Sequence, residues 1–224
     1  MEFPLNRPAR LAVFASGSGS NLAALLTAFP KGHALAEVAL VLSNKKDAFA
    51  LERAKAQNIP ALAHPFPSRK RDPRGEARAR FEAFANTHLD AHDIDLICLA
   101  GFMRLFSGEF NERWHARILN IHPSLLPDFK GLHPQRQALT AGVSEAGCSV
   151  HFVETGVDTG PVILQRRVPV LPDDTEASLS ERILAQEHIA YPAAVEKVLR
   201  GEIRYREVVD KAASPGEAKT EVNA

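Results

Sequence analysis

Cysteine is scarce in this chain of 224 residues: Cys98 and Cys148 are the only two, each inside an apolar run, DLICLA and GCSVHF. Such thiols suit small buried hydrophobes in a reducing compartment rather than a disulfide framework. No C-x-x-C spacing occurs and the nine histidines are scattered, so no metal site is expected. Net charge is also lacking, with 27 Lys plus Arg against 27 Asp plus Glu, which leaves no overall field to draw the molecule to nucleic acid or an anionic membrane. No apolar run approaches the roughly 20 residues that span a bilayer, and MEFPLNRPAR carries no signal-like apolar stretch, so the expected compartment is the cytoplasm. There is no internal repeat.

What is present is a rhythm of short apolar runs and longer helical patterns. Strands are expected at Leu11–Ala15, Val38–Ser43, Ala61–His64, Leu96–Ala100 and Ile118–Ile121, with helices such as Asn21–Phe29, Ala48–Gln57 and Arg74–Ala91 between them. That order predicts an α/β fold, a doubly wound, mostly parallel sheet flanked by helices. Beyond Gly131 the pattern changes. Cys148–Val153 and Val162–Val170 read as further strands and Thr175–Leu199 as a long helix capped by Asp174, a smaller C-terminal section. One domain over 10–205 is expected, its nucleotide-binding-like half at about 10–122 and its C-terminal section at about 123–205. A tail follows at 206–224, where KAASPGEAKTEVNA lacks aliphatic periodicity and is expected to be disordered.

After the first strand, Ala15-Ser16-Gly17-Ser18-Gly19-Ser20-Asn21 opens onto a helical LAALLTAF. Glycines let backbone approach closely, first-turn N–H groups are unpaired and the helix dipole favours negative charge, so a phosphate suits this turn. The plainer alternative is a tight turn with Ser20 or Asn21 as a helix cap. No Gly-Lys-Ser/Thr follows and the spacing is not G-x-G-x-x-G, which favours a phosphomonoester over a triphosphate or dinucleotide.

Period-2 alternation puts Asn120 and His122 on one side of a strand near its carboxyl end, where open parallel sheets bind ligands. A hydrogen-bonded structural pair is the alternative. Asp158, between the glycines of ETGVDTGP, is either a turn former or a third member. Brought together, the three suit acyl transfer without a covalent intermediate. The carboxylate would raise the imidazole pKa, and imidazolium and amide would donate to a developing oxyanion. No G-x-S-x-G elbow is present to support a serine hydrolase.

Four ordered segments, SGSGSNL at Ser16–Leu22, LAGFMRLF at Leu99–Phe106, NIHPSLLPDFKGLH at Asn120–His133 and SVHFVETGVDTGPVILQ at Ser149–Gln165, closely resemble the phosphoribosylglycinamide formyltransferases, folate-dependent enzymes of purine synthesis. The resemblance runs from about Leu11 to about Pro192. It implies a formyltransferase fold and transfer of a formyl group from 10-formyltetrahydrofolate, the co-substrate, to the amine of glycinamide ribonucleotide, with no metal. It implies that Gly19, Ser20 and Asn21 hold the ribonucleotide phosphate and that Glu187 contacts the ribonucleotide. Asn120, His122 and Asp158 are the implied catalytic trio. The implied folate site comprises Arg78 at the tail, Met103, Arg104, Leu105 and Phe106, Asn120, and the loop Glu154, Thr155, Gly156, Val157 and Asp158. The basic stretch Ser68–Arg74 is either a solvated surface or a contact for polyglutamate tails.

The implied partners are small molecules, with neither nucleic acid nor membrane, and the implied assembly is a monomer or homodimer. Three other readings compete. A formyltetrahydrofolate deformylase would turn the same trio on water, usually with an extra N-terminal regulatory domain that is not recognisable here. A methionyl-tRNA formyltransferase would bring a C-terminal RNA-binding domain and an excess of positive charge. A non-enzymatic phosphate-binding module could retain the fold, but keeping the whole trio argues against it.

Overall fold

The structure is a computed structural model that describes residues 2–66, 72 and 74–213. Seven strands form one sheet: β1 (Ala9–Phe14), β2 (Ala36–Ser43), β3 (Ala61–Ala63), β4 (Leu96–Leu99), β5 (Ile118–His122), β6 (Glu145–Phe152) and β7 (Val162–Pro169). Their spatial order is β3-β2-β1-β4-β5-β6-β7. The first five strands pair parallel and β6 and β7 add on antiparallel.

The sheet is covered on both faces because β1, β2 and β4 are apolar at nearly every position, so successive side chains enter opposite cores. Leu11 and Val13 enter one core with Leu22 and Leu25 of α1 (Ser20–Ala28), Leu51 of α2 (Phe49–Lys55) and Ile183 and Tyr191 of α6 (Glu176–Leu199). Ala12 and Phe14 enter the other with Phe81 and Leu89 of α3 (Glu76–Ala91), Phe110 of α4 (Gly108–Arg113), and Trp114. This is the expected doubly wound arrangement. The remaining helices are α5 (Pro134–Ala141) and α7 (Tyr205–Ala213).

Element ends differ from the sequence expectation by at most three residues, and two assignments change. The long helix is capped by Thr175, not Asp174: the Thr175 hydroxyl accepts the Ser178 N–H and the Ser178 hydroxyl receives the Thr175 N–H, a reciprocal box. Asp174 instead receives Arg182 at 2.7 Å and the Leu171 N–H at 2.8 Å, and the Arg182 contact draws its carboxyl far below the ordinary range. The start of the expected tail is a helix, since Tyr205 and Val208 give α7 an apolar face that packs on the core. Residues 214–224 lie outside the described residues, as do 68–71 and 73 of the basic stretch. No described helix is long and apolar enough to cross a membrane.

Candidate active site

Backbone sterics select the turn between β1 and α1. Gly19 is the N-cap of α1 at φ 69°, a left-handed conformation, and no side chain caps the helix. A Cβ there would stand 2.8 Å from the Ala50 backbone, so only glycine fits. Neither Ser20 nor Asn21 acts as cap, and the first-turn N–H groups stay available to an anion. Asn21 turns inward instead. Its Nδ2 donates to Glu187 Oε2 of α6 at 2.6 Å, both residues are buried, and Asn21 Oδ1 has no partner among the described residues. Burial pushes the Glu187 carboxyl upward, partly offset by the Asn21 bond. Gly19, Ser20, Asn21 and Glu187 therefore share one corner of the molecule.

The second group forms where β5 ends beside antiparallel β6. The register sets Asn120 opposite His151 and His122 opposite Ser149. Asp158 arrives from the β6–β7 loop at φ 50°, a left-handed conformation tolerated by aspartate and common where local structure is held for function. Its Oδ2 lies 3.4 Å from His122 Nδ1 and accepts the Gly131 N–H at 3.0 Å. Its Oδ1 lies 3.5 Å from Asn120 Nδ2 and 3.6 Å from His151 Nε2. The structure thus brings Asn120, His122 and Asp158 together.

Hydrogen bonds to carbonyls assign the imidazole tautomers, because a carbonyl only accepts. His122 Nε2–H donates to Phe129 O at 3.0 Å, which leaves Nδ1 facing Asp158. His151 Nδ1–H donates to Phe152 O at 2.7 Å, so its Nε2 receives the Asn120 amide at 3.1 Å. Of the two Asn120 N–H groups, the one toward Asp158 is held more weakly and is the one a substrate oxygen can take.

Asp158 acts upward on the His122 pKa as expected, but the net shift is downward. Burial pushes the imidazole below its ordinary value of 6.5, and this outweighs the upward effects of the Phe129 carbonyl and Asp158. Burial also acts upward on Asp158, but the Gly131 N–H and the electrostatic pull of the neighbouring imidazoles hold it below the usual carboxylate range. In the folded chain the ground state is therefore a neutral His122 beside an ionised Asp158. Neutral His122 contributes stability that is full above pH 6.5 and is lost as pH falls through its lower folded value. An NMR titration should find the His122 midpoint below the ordinary histidine value, and lower still in Asp158→Asn. A midpoint that rises on that substitution would show that Asp158 does not favour the imidazolium.

A cavity of about 230 Å³ adjoins the trio and is lined by Arg78, Arg104, Leu105, Phe106, Asn120, Glu154, Thr155, Gly156 and Asp158 of the expected folate residues. Met103 and Val157 are not on its wall and are exposed, 63% and 44% respectively. Phe102, which adjoins the expected Met103–Phe106 segment, also lines it, as do His151 and Asn111, which sequence reasoning did not place in the site. The same reasoning missed Ser149, whose buried hydroxyl donates to Ser124 O at 2.6 Å and accepts the Leu126 N–H at 2.9 Å, tying the Ser124–Pro127 loop to β6. Met103 N–H donates to Ser16 Oγ at 3.3 Å, and Ser16 Oγ to Asn44 Oδ1 at 2.6 Å, which ties the Met103 segment to the start of the turn after β1. Tyr205 of α7 donates its hydroxyl to Glu154, fastening one side of the loop that carries Asp158.

Among the described residues no group of three or more His, Cys, Asp or Glu could hold a metal ion. His88 and His92 stand one turn apart in α3, ring centroids 6.3 Å apart, and gather no third ligand. Both cysteines are free and buried, and burial pushes their thiols up to about 12, far from a reactive thiolate.

Residues 9–195 match the family model described as formyl transferase. The chain belongs to the formyl transferase family. Every residue of both groups above lies within the formyl transferase match. Among its relatives, the chain is 41% identical over 200 residues to phosphoribosylglycinamide formyltransferase of Escherichia coli (strain K12), covering 88% of this chain and 90% of that protein. It is 47% identical over 202 residues to the trifunctional purine biosynthetic protein adenosine-3 of Drosophila melanogaster, of which it spans 14% of the length, and the human protein of that name is spanned over 19%. Among solved structures, glycinamide ribonucleotide transformylase 1 of Symbiobacterium toebii superposes with a TM-score of 0.78 at 46% identity, covering 88% of this chain and 90% of that one. The formyl transferase fold here thus keeps the same seven-stranded, helix-flanked sheet.

Proposed function

We propose that this formyl transferase moves the formyl group of 10-formyltetrahydrofolate to the amine of glycinamide ribonucleotide, giving N-formylglycinamide ribonucleotide and tetrahydrofolate in de novo purine biosynthesis. The observation that carries the reading is the meeting of His122 and Asp158 at 3.4 Å with Asn120 beside them, Asn120 and Asp158 lining the cavity, and it is supported by the uncapped helix N-terminus at Gly19, which suits a phosphate. The names of the relatives that match over most of their length agree with it.

In this reading the ribonucleotide phosphate sits on the N–H groups of Gly19, Ser20 and Asn21, and Glu187 contacts the same substrate. The folate lies along Arg78, the Met103–Phe106 segment and the Glu154–Asp158 loop. The neutral amine attacks the formyl carbon on N10, and negative charge develops on the formyl oxygen. The Asn120 amide turns from Asp158 to that oxygen, and His122 takes up a proton at Nδ1 as the attacking amine gives one up, its Nδ1–H shared between Asp158 and the oxyanion while Nε2–H stays on Phe129 O. The attacking nitrogen must lose a proton and N10 must gain one as the C–N10 bond breaks, and Asp158 with His122 carries that exchange. The substrates are small molecules, the chemistry requires no metal, and cytoplasm is the compartment proposed.

The test is to mix purified protein with 10-formyltetrahydrofolate and follow tetrahydrofolate release with and without glycinamide ribonucleotide. Release that depends on the ribonucleotide supports the transferase, whereas equal release without it would mean hydrolysis.

A further inference from the structure

The anion turn is short of positive charge for the guest assigned to it. A phosphomonoester carries roughly −1.5 to −2 at neutral pH, whereas a helix N-terminus supplies about half an elementary positive charge. The neutral Ser16–Asn21 segment adds none. One side chain at this corner can make up the difference.

Arg53, in the last turn of α2, donates its Nε–H to Ser18 O of the turn at 2.8 Å. Its Cδ lies 3.4 Å from where a Gly19 Cβ would stand, so the side chain runs along the turn itself. The guanidinium carbon sits 4.9 Å from the centroid of the Phe49 ring, an aromatic left 56% exposed. These contacts orient the guanidinium yet use only Nε. Among the described residues no carboxylate pairs with Arg53, and the nearby Glu52 of the same helix is taken by Lys55 at 2.8 Å. A cation held this firmly without a counter-ion is poised for an anion. The same corner holds a buried, unpartnered acceptor, Asn21 Oδ1, set for a donor such as a sugar hydroxyl.

We infer that Arg53 is a side-chain ligand of the substrate's phosphate, with Nη1 and Nη2 donating to the phosphate oxygens while Nε stays on Ser18. The inference rests on the ribonucleotide reading of this corner. Lysine replaces it only in part, because a lone ammonium keeps the charge but cannot hold Ser18 O, lie over Phe49 and present a two-pronged donor at once.

The test compares the wild-type chain with Arg53→Gln and Arg53→Lys, using glycinamide ribonucleotide and the riboside that lacks its phosphate. Loss of one charge-assisted contact should raise the KM for the ribonucleotide about 10- to 100-fold, with the KM for 10-formyltetrahydrofolate unchanged and kcat within a few-fold. Arg53→Lys should fall between. The riboside should show no difference between wild type and variants. An unchanged ribonucleotide KM, or an equal loss with the riboside, would overturn the role. Inorganic phosphate, titrated against each folded protein by NMR, gives a readout independent of turnover and should bind Arg53→Gln at least tenfold more weakly. If wild type fails to use the ribonucleotide, the functional reading falls, and the phosphate titration still decides whether Arg53 serves an anion site.

Discussion

Asp158→Asn is expected to lower kcat by about three orders of magnitude while the KM of each substrate moves only a few-fold, since proton transfer by a positioned group contributes roughly 10²- to 10⁴-fold. The carboxylate touches every other polar member of the centre: His122 at 3.4 Å, Asn120 at 3.5 Å, His151 at 3.6 Å and the Gly131 N–H at 3.0 Å. Asparagine keeps the shape but loses the charge that favours a protonated His122, and burial already opposes that state. Residues that act as a unit are not additive, so Asp158→Asn combined with His122→Ala should be little slower than the worse single variant. Steady-state rates under saturating substrates check both statements. An Asp158→Asn protein within tenfold of wild type would remove the carboxylate from the chemistry.

Gly160→Ala is expected to destabilise the fold by about 3 kcal/mol or more, because overpacking against atoms that cannot yield is among the costlier single changes. A Cβ at this position would lie 1.9 Å from Phe152 O and 2.8 Å from the Phe152 carbonyl carbon, both backbone atoms of β6. Relief requires moving the strand end that holds His151, whose Nδ1 donates to that same carbonyl. At roughly 2–4 °C per kcal/mol for a chain of this size, the melting temperature should drop by about 6–12 °C, with activity falling alongside. Gly17→Ala, where an added Cβ meets nothing within 4 Å, is the matched control and should melt within about 2 °C of wild type. Equal melting of Gly160→Ala and Gly17→Ala would contradict the close approach.

The strands and the larger helices were legible in the sequence because their signals are local: β-branched runs, helical spacing, and a glycine turn before LAALLTAF. Asn120 and His122 were legible as a pair because they share a strand face, whereas Asp158 between glycines read equally as a turn former and joined them only through the family resemblance. Partnerships fixed by pairing across the chain were not legible. Nothing in SVHF announces that antiparallel register sets His151 against Asn120, or that Ser149 secures the Ser124–Pro127 loop. Short helices such as α4 and α5 show too few turns for periodicity to register. The upward effect of Asp158 on His122 was legible but the net downward shift was not, because a neighbouring carboxylate can be inferred from a motif, whereas burial depends on everything packed around it.

The bond from Gly131 to Asp158 turns a main-chain amide into a gauge of that carboxylate's ionisation. Its proton resonance should move and its exchange with deuterium should quicken as the acid form appears, without any label on a side chain. Since Gly131 and Asp158 lie on different loops, one peak in a spectrum of the intact chain would also report whether those loops part when a folate enters.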